Sequence, residues 1–318
     1  MDEKYINIFD ELFLNIEKYP QLKELINDIN GVLSNLIIKY GEIVNELTTN
    51  DDRDNPFVDT VIVMFGRKIM EHIDAINILL SKSCFSQAEI ILRTLLETTV
   101  SIKFILKEDT ELRAASYFLY HHYEEMDKIE YFRSDNDKGQ MIKNIIGDEK
   151  FNEVAIKVNK KKDALQRLIN KNATFKKVDD LRKKKIEDEQ NKNRRKLKVN
   201  VQWYEIVSKY KSFRQLMRYI GWDKYYESLY GGLSLEVHGY NAANSMIIKD
   251  DGSYMEQIRS PKNGVNTFNL TCVFSISVLK DIYTYLEDGD EEKQEFKDYY
   301  LKYKEISDNV IERLINIV

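Results

Sequence analysis

Apolar residues return at every third or fourth position over most of this chain, and little in the sequence interrupts them. Only 12 glycines and 3 prolines fall among 318 residues. Sheet-rich folds need many tight turns, and these two residues supply most of them. The stretches "QLKELINDINGVLSNLIIKYGEIVNEL", "FVDTVIVMFGRKIMEHIDAINILLSKS" and "SQAEIILRTLLETTVSIKFILK" all carry the helical apolar period. The chain is therefore expected to be all-α, a multi-helix bundle. The second and third of these stretches are joined by a short turn near Cys84, so they should form an antiparallel hairpin, with Ser86 as N-cap and Glu89 completing a capping box. The first twenty residues read as a separate amphipathic helix ending near Pro20. One exception to helix stands out. "SMIIKDDGSYMEQIRSP" alternates around Asp-Gly, which predicts a small β-hairpin near 246–258.

Charge divides the chain. Residues Lys157 to Asn200 hold 17 Lys/Arg against 6 Asp/Glu, a net of +11, while the whole chain is −5 and the remainder −16. Like charges at this density repel unless they are solvated or meet anions. Leu165, Leu168, Ile169, Phe175, Val178 and Leu181 still recur within the segment, so it reads as a helical arm. Four segments follow: 1–50, an N-terminal helical extension; 55–150, the first part of a helical core; 151–200, the basic helical arm; and 201–318, the second part of the core. Lys183, Lys184, Lys185, Arg194 and Arg195 in the arm are candidates for holding the RNA backbone. The acidic start does not read as a secretory signal, and the most apolar stretch carries Glu89, Arg93, Glu97 and Lys103, which argues against a membrane span. Cys84 and Cys272 are far apart and lie in no metal-binding spacing. A cytoplasmic protein with no metal or other cofactor is expected.

Three constellations could carry chemistry. In "RTLLE", Arg93 and Glu97 share one face of a strongly apolar helix. An arginine there needs a partner, because an unpaired buried charge costs several kcal/mol. In "YYESLYGGLSLEVHG", Tyr226, Tyr230, Ser234 and His238 fall four residues apart and line one helical face. The alternative is that His238 only closes a helix end, favoured by the C-terminal dipole. In "RKIMEH", Arg67 and His72 are separated by four residues, a spacing that resembles the Arg-x4–6-His signature of HEPN ribonucleases. The adjacent His121 and His122 point about 100° apart on a helix and do not suggest a shared metal.

The paired motifs at Arg93, Leu95, Leu96, Glu97 and at Tyr226, Tyr230, Leu233, Ser234, His238, with Trp203 between them and a trailing "IRSP", resemble the bacterial domain-of-unknown-function family 5677. The resemblance covers roughly Phe57 to Leu286. It implies a HEPN-like helical core similar to abortive-infection proteins, with the motif's Arg and His converging on one pocket. On that basis Arg93, Glu97, Tyr230, Ser234 and His238 are the candidate catalytic residues, with Arg67 and His72 secondary. The expected activity is metal-independent ribonuclease or phosphate-ester chemistry in antiphage defence. The alternative is a non-catalytic module that senses a nucleotide or partner. RNA or a nucleotide, a cognate antitoxin or sensor protein, and a second copy in a homodimer are the expected partners.

Overall fold

The computed structural model describes residues 13, 16–50, 53–129, 132, 136–192, 200–233, 246–250, 252–255, 257–259, 264–286 and 290–317. The fold is all-α with one β-hairpin. Its helices are α1 (Pro20–Thr49), α2 (Pro56–Ser81), α3 (Phe85–Lys107), α4 (Thr110–Ile129), α5 (Asp137–Ile146), α6 (Asp148–Lys171), α7 (Ala173–Lys192), α8 (Trp203–Ile206), α9 (Phe213–Tyr219), α10 (Asp223–Tyr225), α11 (Gly264–Leu286) and α12 (Asp290–Ile317). The chain separates into two compact units, one made of residues 1–106 and 216–318 and the other of residues 107–215.

In the first unit, α1 packs along α2, and both α11 and α12 pack on α1. The reason is a continuous apolar stripe: Leu25, Ile29, Leu33, Leu36 and Tyr40 recur at helical spacing and are completely buried. Polar ties fix the register of the bundle. Tyr40 donates its hydroxyl to the Ser275 carbonyl at 2.7 Å. Lys39, sunk among Tyr283 and Tyr299, pairs with Glu42 at 2.9 Å and Glu295 at 2.6 Å. Pro56 opens α2 where its missing N–H leaves nothing unsatisfied, and the Asn55 side chain accepts from Val58 N.

The helix predicted to start at Ser86 begins earlier. Ala88 N bonds to Cys84 O at 3.1 Å, so α3 starts at Phe85 and Ser86 lies inside its first turn. The preceding Ser83 takes a left-handed conformation with φ 57°, which reverses the chain within a few residues. His72 on α2 and Thr98 on α3 then meet at 3.3 Å, as an antiparallel hairpin turning near Cys84 requires. The Asp-Gly hairpin forms as expected: Met246–Lys249 pairs antiparallel with Gly252–Met255, and Lys249 faces Gly252. The N-terminal helix predicted before Pro20 falls mostly outside the described residues, which show a 3₁₀ turn at Ile16–Lys18.

In the second unit, α4 packs on α6, α7 and α8, and α6 packs on α7. The basic segment is helical here, and its apolar positions Leu165, Ile169, Phe175 and Val178 are buried. Leu168 is instead exposed. Tyr123 donates to Asp179, with Arg182 over the tyrosine ring at 4.0 Å, and Ser116 donates to the Trp203 carbonyl.

Candidate functional site

The stripe that carries Tyr230 departs from a regular helix. Gly221, with φ 83°, ends α9 in a paired-bond reversal: Trp222 N bonds to Met217 O at 2.7 Å and Gly221 N to Arg218 O at 3.1 Å. Glycine suits that left-handed position, since a Cβ there would crowd the following carbonyl. The chain then enters α10 and widens into a π-helical turn over Tyr226–Tyr230. Aromatic contacts seat this segment. Trp222 lies 5.4 Å from Phe274 of α11, and Tyr225 meets the same ring edge-on at 5.7 Å. Lys103 of α3 sits over the Trp222 ring and pairs with Asp281 at 2.6 Å.

This anchoring brings Tyr230 onto α3. Arg93 Nε donates to Glu97 Oε1 at 3.3 Å, as the four-residue spacing predicts. Arg93 Nη2 lies 3.2 Å from the Tyr230 hydroxyl, which donates to Glu97 Oε1 at 3.0 Å. The guanidinium carbon also lies 4.9 Å from the centre of the Tyr230 ring, within cation–π range. Tyr226 stacks on Tyr230 at 5.1 Å with the rings tilted by 19°. Arg93, Glu97 and Tyr230 therefore form a closed triangle with an aromatic floor. Beneath it, Leu92, Leu95 and Leu96 are buried, so the cluster borders hydrocarbon on one side.

The electrostatics follow from that setting. Burial opposes the charge on Arg93, but Tyr230 and Glu97 outweigh it and hold the guanidinium above its ordinary range. Burial pushes the Tyr230 phenol up, Glu97 adds to the shift, and Arg93 opposes it. Tyr230 thus keeps its proton near neutrality and acts as a donor. The side chain of Arg93 retains 16% exposure and that of Glu97 40%, so both remain reachable from solvent.

The other sequence candidates are distributed differently. Ser234 and His238 lie outside the described residues, as do Arg194 and Arg195. Arg67 and His72 are not brought together. Arg67 is 77% exposed and lies 3.5 Å from Glu71, whereas His72 is 7% exposed and turned toward Thr98. Five residues along a helix advance by about 140°, which puts the two side chains on different faces. Burial, with Lys68 nearby, drives His72 down to about 4.

In the basic segment, Lys183 is paired with Asp179 at 2.6 Å. Lys185 is partly buried and donates to the carbonyls of Glu205 and Ser208, the latter at 2.7 Å, so it braces the chain around α8. Burial lowers its pKa. Lys184 is exposed, and it lines a groove of about 430 Å³ with Lys176 and Lys177, two residues the sequence reading did not select. A helical projection would have grouped the three, because positions 176, 177 and 184 fall within one third of the circumference. Among the described residues no three His, Cys, Asp or Glu side chains cluster as metal ligands would, and no helix is long and apolar enough to cross a membrane.

Fold and cluster together define an all-α protein that holds a carboxylate-braced arginine against a tyrosine from a distant helix. The sequence matches, over residues 59–254, the model of a family of unknown function, DUF5677, and the chain belongs to that family. Comparison with curated proteins and with solved structures gives no significant match.

Proposed function

We propose that this protein is a HEPN-like, metal-independent ribonuclease that acts in bacterial antiphage defence by abortive infection. The observation that carries this reading is the triangle of Arg93, Glu97 and Tyr230: a fixed guanidinium, still solvent-accessible, beside a phenol that keeps its proton. Such a pair suits a phosphodiester, whose transition state concentrates negative charge on the non-bridging oxygens. Arg93 neutralises that charge, Glu97 holds the guanidinium, and Tyr230 turns its single proton from Glu97 to a phosphate oxygen when substrate binds. The base comes from His238, which the sequence sets eight residues beyond Tyr230. It removes the ribose 2′-OH proton, the 2′-oxygen attacks phosphorus as the bond from phosphorus to the 5′-oxygen breaks, and that oxygen takes its proton from water, giving a 2′,3′-cyclic phosphate. Ser234 contributes a further hydrogen bond to substrate. Lys176, Lys177 and Lys184 collect the RNA backbone by salt-sensitive attraction, and Lys183 adds to their field. The cytoplasm, a homodimer and a cognate antitoxin or sensor partner belong to the same reading.

Purified protein incubated with total RNA should yield fragments with cyclic-phosphate ends. Arg93→Ala and His238→Ala should abolish them while the helical circular dichroism is unchanged. Undiminished cleavage by either folded variant would rule the assignment out.

One observation favours a second reading. Tyr226 and Tyr230 present a stacked aromatic surface beside Arg93, an arrangement that also suits a nucleotide held by base stacking and phosphate pairing without cleavage. Intact RNA together with a co-purifying nucleotide would select that sensor role.

A further inference from the structure

A groove of about 660 Å³ runs between α11 and α12, on residues that the Arg93 site does not use. That volume falls in the range of small-molecule sites. Its floor is Cys272 and Tyr303, each 5% exposed and joined by a 3.0 Å contact from the Tyr303 hydroxyl to the cysteine sulfur. Its walls are Val273 and Ile276 on one helix and Phe296 and Tyr300 on the other. Phe296 and Tyr300 stack along α12 at 6.3 Å, and Val273 and Tyr300 remain 36% and 38% exposed, large apolar surfaces that no part of the described bundle covers.

The groove is polar in one direction only. Tyr283 of α11 touches Phe296 of α12 at 5.1 Å, and Cys272 touches Tyr303, so the two helices run antiparallel. Lys280 and Lys297 therefore line the same end, and neither makes an ion pair among the described residues. At the opposite end Lys304 pairs with Asp308 at 2.5 Å, which leaves no net charge there. Along α12 the lining from Phe296 to Asp308 is about 18 Å long at the helical rise. A cationic end joined to a neutral apolar run complements an amphiphile with an anionic head group.

We propose that this groove binds a long-chain fatty acid, with the carboxylate at Lys280 and Lys297 and the chain lying over Ile276, Val273 and Tyr300 toward the neutral end. The assignment is independent of the ribonuclease reading.

Calorimetric titration of the full chain with laurate, kept below micelle formation, tests it. One saturable site is expected, with weaker binding of dodecanol and of dodecyltrimethylammonium. Replacing both lysines by glutamate (Lys280→Glu with Lys297→Glu) should weaken laurate by about tenfold or more, because the head-group charge then meets repulsion. Ile276→Trp, which fills the groove, should abolish the site while the circular dichroism stays helical. The proposal is overturned by absent laurate binding, by equal affinity for the cationic amphiphile, by undiminished binding in the folded double variant, or by binding only to anionic phospholipid vesicles.

Discussion

Arg93 meets Tyr230 twice, at its hydroxyl over 3.2 Å and across its ring at 4.9 Å. The two contacts can be separated. Tyr230→Phe keeps the ring and removes the hydroxyl that joins Arg93 to Glu97. It should lower stability by about 1 kcal/mol, the typical net worth of such a hydrogen bond, read by urea denaturation. Tyr230→Leu removes both contacts and should cost more. Equal losses would show that the ring contact contributes nothing, and an unchanged Tyr230→Phe that the hydroxyl does not.

His72 predicts how stability responds to acid. Its folded pKa is lowered to about 4 from an ordinary 6.5, so the folded state binds fewer protons than the unfolded one between those values. The stability it contributes is present above pH 6.5 and is lost as pH falls toward 4, by at most about 3 kcal/mol. Urea midpoints at pH 7.5 and pH 5 should differ accordingly. In His72→Gln the difference should shrink.

Lys184 and Lys185 are neighbours with opposite expected behaviour. Lys185→Ala strands the Glu205 and Ser208 carbonyls and should destabilise the unit formed by residues 107–215 by about 1–3 kcal/mol. Lys184→Ala should change stability by less than about 0.5 kcal/mol, because it sits at the surface. On RNA binding the order reverses: loss of Lys184 should weaken retention at low salt and flatten its salt dependence.

Gly264 opens α11 directly against Phe85, and a Cβ there would lie 2.6 Å from the ring. Phe85 is completely buried and has no room to retreat. Gly264→Ala should therefore destabilise by about 1–3 kcal/mol through overpacking, even though alanine is the better helix former. A raised thermal midpoint would contradict this contact.

The helices were legible because their apolar period is long and few glycines or prolines break it, and the hairpin because Asp-Gly stands between alternating residues. The pairing of Arg93 with Glu97 follows from spacing within one helix. Its union with Tyr230 does not, since 137 residues intervene and the contact depends on where Trp222 and Tyr225 dock. The family motif named the participants without giving their distances. The Arg67 and His72 spacing misleads for the opposite reason: proximity in sequence says little when one residue faces solvent and the other a neighbouring helix. Lys185 was also opaque, because a lysine that caps carbonyls and one that faces solvent look alike until the chain around α8 is placed.

The wide turn at Tyr226–Tyr230 has a consequence for how this surface tolerates change. A π turn is an α-helix that has accommodated one surplus residue, so it works as a phase adjuster between the segment before it and the segment after it. Removing a single residue there would restore ordinary winding and leave the helix that follows in nearly its present phase, while re-aiming the side chains of the turn itself. The loss of one residue would therefore be felt first in how Tyr226 and Tyr230 are presented to Arg93, and only weakly beyond them.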